Sequence, residues 1–122
     1  MPKQKNPAPC SAFEFALRRR AIGLDNATLM ALTGCSISSA TKWTSGAIPV
    51  AQAAYDALCE VERAVDTMTG EIVRSHPRGD GAVDIVAEVP KDWKYGDLSY
   101  EIAVAGARFI IEDASISPPP SA

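Results

Sequence analysis

The sequence predicts a mainly α fold with a small β element: a bundle of short helices over residues 11–70, then a short strand-and-helix segment. Three observations predict it. Apolar residues recur at helical spacing up to Gly70, interrupted by Gly23, Gly34 and Gly46. Residues 71–74 (EIVR) and 82–89 (AVDIVAEV) are β-branched and alternating, with the turn signal Asp80-Gly81 between them. A last apolar run follows Asp97. A length of 122 residues with 47% hydrophobic side chains suits one small domain.

The first helix starts at Ser11, because Ser11-x-x-Glu14 is a capping box. Phe13, Leu17 and Ala21 follow at helical spacing, and Gly23 ends the helix. Asp25 is a good N-cap for a second helix from Asn26 to Thr33, with Leu29 and Leu32 as core candidates and Gly34 as its stop. Ser36 or Ser38 caps a third helix that runs to about Ser45, and Gly46 closes it. Pro49 suits the first turn of a fourth helix, expected to run to Thr69 and stop at Gly70. Its apolar stripe is Val50, Ala54, Ala57, Leu58, Val61, Val65 and Met68.

A strand pair or hairpin is expected next, and then a helix capped by Asp97 that runs from Leu98 to about Asp113. This last helix is apolar on nearly every side, which a chain this short cannot bury alone. Leu98, Ile102, Ala105 and Phe109 are therefore expected in a subunit interface. The organisation expected is a mobile basic arm at 1–10, a helical unit at 11–70, a dimerising segment at 71–113 and a disordered Pro/Ser tail at 114–122.

Charge is divided along the chain. Residues 1–50 carry six basic and two acidic side chains, and residues 51–122 carry six basic and thirteen acidic, for a net charge of −3. A phosphate backbone responds to local potential, so the basic half is the one suited to nucleic acid. Cys10, Cys35 and Cys59 are odd in number and have no C-x-x-C spacing, which argues against a disulfide framework and a zinc site. With no apolar leader and no long apolar run, a cytoplasmic protein without membrane, metal or cofactor is expected. His76 in a Pro/Gly loop has no evident orienting partner, Gly79-Asp80-Gly81 lacks the lysine of a phosphate loop, and Asp80, Asp84 and Glu88 fit no calcium loop. No enzyme is expected.

Residues 24–46 hold the functional signal. Two short helices joined by a tight glycine turn lock only if apolar residues of both meet at the elbow, and Leu29, Cys35, Ala40 and Trp43 are placed to do so. Leu24, Leu29, Gly34, Ser36, Trp43 and Gly46 fall, without a gap, on the pattern of a helix-turn-helix, and this stretch resembles the lambda-repressor and Cro-like family. Asp25, Asn26, Met30, Thr33 and Thr44 depart from that family's usual Thr, Gln, Ala, Leu and Glu. Over residues 13–113 the chain is also similar to short phage-type regulators that include the anti-CRISPR-associated autorepressors. The shared features are Trp43-x-Ser-Gly46, Ile48-Pro49, the long following helix, an extended segment and the terminal Leu98-Ser99-x-x-x-Ala103-Val-Ala105.

The resemblance implies a lambda-repressor-like bundle in a homodimeric repressor of its own operon, bound to double-stranded DNA at an inverted repeat. It implies base-edge contacts from Ile37, Ser38 and Lys42, with Ile37 alternatively packing inward. It implies backbone contacts from Asn26, Ser39 and Thr41, with one or two of Arg18, Arg19 and Arg20 on phosphate. The other reading is an antitoxin or protein-interaction module on the same fold, whose acidic half meets a protein partner. Replacing Phe109→Asp is expected to give monomers in light scattering and weaker DNA binding; a dimer that persists would move the interface elsewhere.

Overall fold

The computed structural model describes residues 7–75 and 88–116, with side chains up to Glu112. Among these residues there are five helices: α1 (Ala12–Ile22), α2 (Asn26–Thr33), α3 (Ile37–Ser45), α4 (Gln52–Ser75) and α5 (Asp97–Ile116). No strand occurs among them.

Local chemistry starts and stops the first three helices. The Ser11 hydroxyl accepts from Glu14 N at 3.1 Å, Asp25 accepts from Thr28 N at 2.8 Å, and Ser36 accepts from Ser39 N at 3.2 Å. Each bond satisfies an amide that has no partner inside its helix. Only the Ser11 half of the capping box forms, because the Glu14 carboxylate pairs with Arg18 instead. Gly23, Gly34 and Gly46 end α1, α2 and α3 at positive φ.

The first core cluster lies where α1, α2 and α3 meet the N-terminal half of α4. Phe15, Leu29, Leu58 and Val61 are fully buried there, with Leu24, Ala40, Trp43, Val50 and Ala54 around them. Burying a side chain of the Leu or Phe size contributes roughly 1.5–3 kcal/mol. The second cluster joins the end of α4 to α5 through Ile72, Tyr100, Val104, Ala107 and Ile111. Between the clusters, Trp93 Nε1 donates to Gly96 O at 2.9 Å and the Tyr95 hydroxyl donates to Glu60 at 2.8 Å. Trp93 packs edge-on to Tyr95, with ring centroids 5.1 Å apart. Burial, and then the bond to Glu60, raises the Tyr95 pKa. These contacts hold residues 90–96 on the flank of α4.

Several sequence expectations change. The Phe13, Leu17 and Ala21 row of α1 is exposed, Phe13 at 74% and Leu17 at 51%, and the helix buries Phe15 and Arg19 instead. Pro49 precedes α4, which begins at Gln52 with Tyr55 N bonded to Ala51 O. The helix does not stop at Gly70, and residues 71–74, expected as a strand, are its continuation. A helical glycine costs about 1 kcal/mol. The burial of Ile72 against Tyr100, Val104 and Ile111 outweighs that. Residues 76–87 of the expected hairpin lie outside the described residues, as do residues 1–6 and 117–122 of the arm and tail, while residues 114–116, expected in the tail, continue α5. Helix α5 begins at Asp97, so Gly96 takes the cap position, with its carbonyl accepting from Tyr100 N. The helix is covered on one side only: Leu98, Ala105 and Phe109 are exposed, and Ile102 is partly buried against the first cluster. Cys10, Cys35 and Cys59 are free thiols, and no helix among the described residues is long and apolar enough to cross a membrane.

Gly23 is the tightest point. Its φ is +65°, and a Cβ there would lie 2.7 Å from Leu98 Cγ and 3.0 Å from the Leu98 backbone carbon. Gly34 has φ +74° with nothing within 4 Å of that position. Gly23→Ala should therefore lower stability by more than about 2 kcal/mol, and Gly34→Ala by about 1 kcal/mol. Urea unfolding midpoints compare the two, and equal losses would exclude the α1–α5 approach as the cause.

Candidate nucleic-acid interface

Helices α2 and α3 are joined by Gly34, Cys35 and Ser36. Leu29, Ala40 and Trp43 are buried at the elbow and Cys35 is partly buried beside them. With Ala40 and Trp43 turned inward, 3.6-residue periodicity turns the opposite side of α3 outward. That side carries Ile37, Ser38, Thr41, Lys42 and Ser45, all exposed. Ile37 is 53% exposed and does not pack into the core. Ser38 and Lys42 are one turn apart on this face. Ser39 lies at its margin, partly buried, with its hydroxyl 3.3 Å from that of Ser36.

A cleft of about 300 Å³ runs beside α3, lined by Arg19, Asn26, Thr41, Thr44 and Ser45. Arg19 forms its base. The residue is 8% exposed and its guanidinium ties three helices together: Nε donates to Leu24 O at 3.2 Å, Nη1 to Thr44 Oγ1 at 2.5 Å and Nη2 to Asn26 Oδ1 at 2.8 Å. It also lies 5.6 Å over the Phe15 ring. Among the described residues no carboxylate is within 4.0 Å of it. Burial lowers the Arg19 pKa, and the field of Asp25 opposes that shift. Arginine nevertheless stays protonated in a protein, so the cleft has a positive base with only neutral acceptors at close range.

The rim is polar. Asn26 is the first residue of α2, and its side-chain oxygen accepts from Arg19, which leaves the amide nitrogen as a donor. The Thr41 hydroxyl donates to Ile37 O at 2.8 Å and that of Ser45 to Lys42 O at 3.3 Å.

The arginine triplet separates into three environments. Arg18 turns to α4: its Nε donates to Glu62 at 2.9 Å and its guanidinium lies 5.2 Å over the Tyr55 ring. The bonds to Glu62 and then Tyr55 raise its pKa. Arg19 is inside. Arg20 is exposed and has no hydrogen-bond or ion-pair partner among the described residues. Of the three arginines considered for phosphate, Arg18 and Arg19 thus have internal partners. Sequence reasoning missed Thr44 and Ser45 as cleft residues. It also missed the role of Arg19, although Arg19 stands four residues after Phe15 and shares its face.

No group of three or more His, Cys, Asp or Glu among the described residues could hold a metal ion. Comparison of the chain with protein-family models, curated proteins and solved structures finds no match.

Arg19→Met should lower stability by roughly 2–3 kcal/mol, because it strands the Leu24 carbonyl and two partly buried side-chain acceptors. Arg18→Ala removes a partly exposed ion pair and should lower it by about 1 kcal/mol or less. Urea midpoints with unchanged m-values check the order, and a larger loss for Arg18 would overturn Arg19 as the main tie between the helices.

Proposed function

We propose that this chain is a sequence-specific DNA-binding regulator of transcription, acting as a homodimeric repressor of its own operon at an inverted repeat. The observation that carries this reading is the α3 surface. A short, exposed helix face with Ile37, Ser38 and Lys42 stands beside a cleft whose base is an arginine without a carboxylate at close range. A helix of this width fits the major groove, where base edges carry a readable code.

In this proposal Lys42 donates to guanine O6 and N7, Ser38 bonds a base edge and Ile37 covers a thymine methyl. The cleft takes a backbone phosphate. Asn26 donates to it from the rim through its amide nitrogen, the Thr41 and Ser45 hydroxyls rotate away from Ile37 O and Lys42 O to do the same, and the buried Arg19 charge attracts it from below. Ser39 contacts the backbone from the margin of α3. Arg18 is withdrawn from the set, since its guanidinium serves the α1–α4 contact through Glu62. The exposed side of α5, with Leu98, Ala105 and Phe109, pairs two copies. The two α3 helices then enter successive major grooves, with half-sites about one helical turn apart.

A second reading has one observation in its favour. A groove of about 650 Å³ along α4 is lined by Asp56, Glu60, Glu71 and Asp92 with Arg63. It suits a basic protein partner, as an antitoxin would require. Co-purification of a stoichiometric partner distinguishes that case.

Fluorescence anisotropy against the DNA immediately upstream of the gene, with a scrambled duplex and a salt series, tests the main reading. Tighter binding to the upstream DNA with a steep loss of affinity as salt rises is expected. Equal, weak binding to both duplexes would reject it. Lys42→Ala should reduce discrimination at one base pair by roughly 1–3 kcal/mol. An equal loss on both duplexes would make Lys42 a phosphate contact only.

A further inference from the structure

The outward row of α5, exposed at Leu98, Ala105 and Phe109 and partly buried at Ile102, has a symmetry of its own. Leu98, Ile102, Ala105 and Phe109 are separated by four, three and four residues. These intervals read the same in both directions, so the row is complementary to a second copy of itself running antiparallel. In that register Leu98 meets the partner's Phe109 and Ile102 meets the partner's Ala105, a small side chain against a branched one.

The N-terminal end of the row opens into a pocket of about 400 Å³. Phe13 and Leu17 of α1 and Leu98 of α5 wall it, and its lining also includes Gly23, Arg20 and Asp25. Phe109, at the other end of the same row, is 72% exposed. Eleven residues of helix span ~16 Å, so an antiparallel partner brings its Phe109 to the level of this pocket. Phe13, Leu17, Leu98 and Phe109 expose on the order of 500 Å² of apolar surface, well over half of the ~800 Å² that each partner of a standard interface buries.

Charge agrees with the register. Glu112 is exposed one turn beyond Phe109 and has no partner among the described residues. Arg20 has none either. The antiparallel arrangement carries the partner's Glu112 past Leu98 toward Arg20.

We infer that a second copy of this chain docks antiparallel along α5 and seats its Phe109 in the pocket between α1 and α5, with its Glu112 paired to Arg20. This rests on the dimeric reading above and gives that dimer a register. The interface then includes α1, whose Arg19 also borders the pocket and hydrogen-bonds to Thr44 of α3. Two copies joined there hold their α3 helices through the packed core, not through a flexible connection.

The test uses the full chain with Cys10, Cys35 and Cys59 replaced by serine, and light scattering of the unmodified protein first. Under mild oxidation the double variant Leu98→Cys/Phe109→Cys should become a covalent dimer. Either single variant should not, because each introduced thiol is ~16 Å from its own copy in the partner. Arg20→Glu and Glu112→Arg should each weaken dimerisation about tenfold, and the two together should restore it. A dimer in which Phe109→Cys links to itself, or in which the charge exchange restores nothing, would overturn the register and leave the dimer standing. A monomeric unmodified protein would overturn the dimeric reading and this inference together.

Discussion

A guanidinium without a carboxylate beside it sits where α1, α2 and α3 converge. Arg19 meets the end of its own helix through Leu24 O, the start of α2 through Asn26 and the last turn of α3 through Thr44. Each bond is directional, so together they fix how the three short helices lie relative to one another. All three of these helices are too short to persist alone. Leu29, Ala40 and Trp43 supply the burial, and the arginine supplies the orientation. The same group makes the base of the cleft beside α3 positive. Stability and the proposed function thus depend on one side chain. Thr44 is essential to that arrangement: a neutral hydroxyl accepts from Arg19 without cancelling its charge.

Helix α4 is the surface on which the rest assembles. Its stripe from Ala54 to Val65 closes the first cluster, and its extension through Ile72 receives α5. The residues from Pro90 to Gly96 bridge the two through Trp93 and Tyr95. This division of α4 explains why α5 has two unlike sides. One side is packed by Tyr100, Val104, Ala107 and Ile111; the other retains Leu98, Ala105 and Phe109 in solvent. A helix with more apolar faces than its own chain can cover is the origin of the exposed row, and α1 adds to it by presenting Phe13 and Leu17 on the same flank.

Local signals were legible wherever a few neighbouring residues supply the whole energy. Ser11, Asp25 and Ser36 cap helices by bonds that span three residues, and glycine closes each helix because positive φ is a property of one residue. The outward placement of Ser38 and Lys42 on α3 was legible too, since Trp43 fixes the inner face and the helical period fixes the remainder, whereas Ile37 was left between packing and exposure until the structure placed it outside. The arginine triplet was not. Three consecutive arginines look alike in the sequence, and only Phe15, Glu62 and Thr44, on three different elements, decide which turns where.

Caps, glycine stops and periodicity act within a few residues, so the sequence alone set the positions and ends of α1 and α2, the end of α3, the α4 stripe and the outward side of Ser38 and Lys42, and left open the start of α3 and the side taken by Ile37. Only the tertiary structure decided that α4 passes through Gly70, that Phe13 and Leu17 face outward and that Arg19 lies beneath a cleft. Each depends on burial against partners far along the chain. Such burial overrides a local preference of about 1 kcal/mol and leaves no mark at the residue concerned.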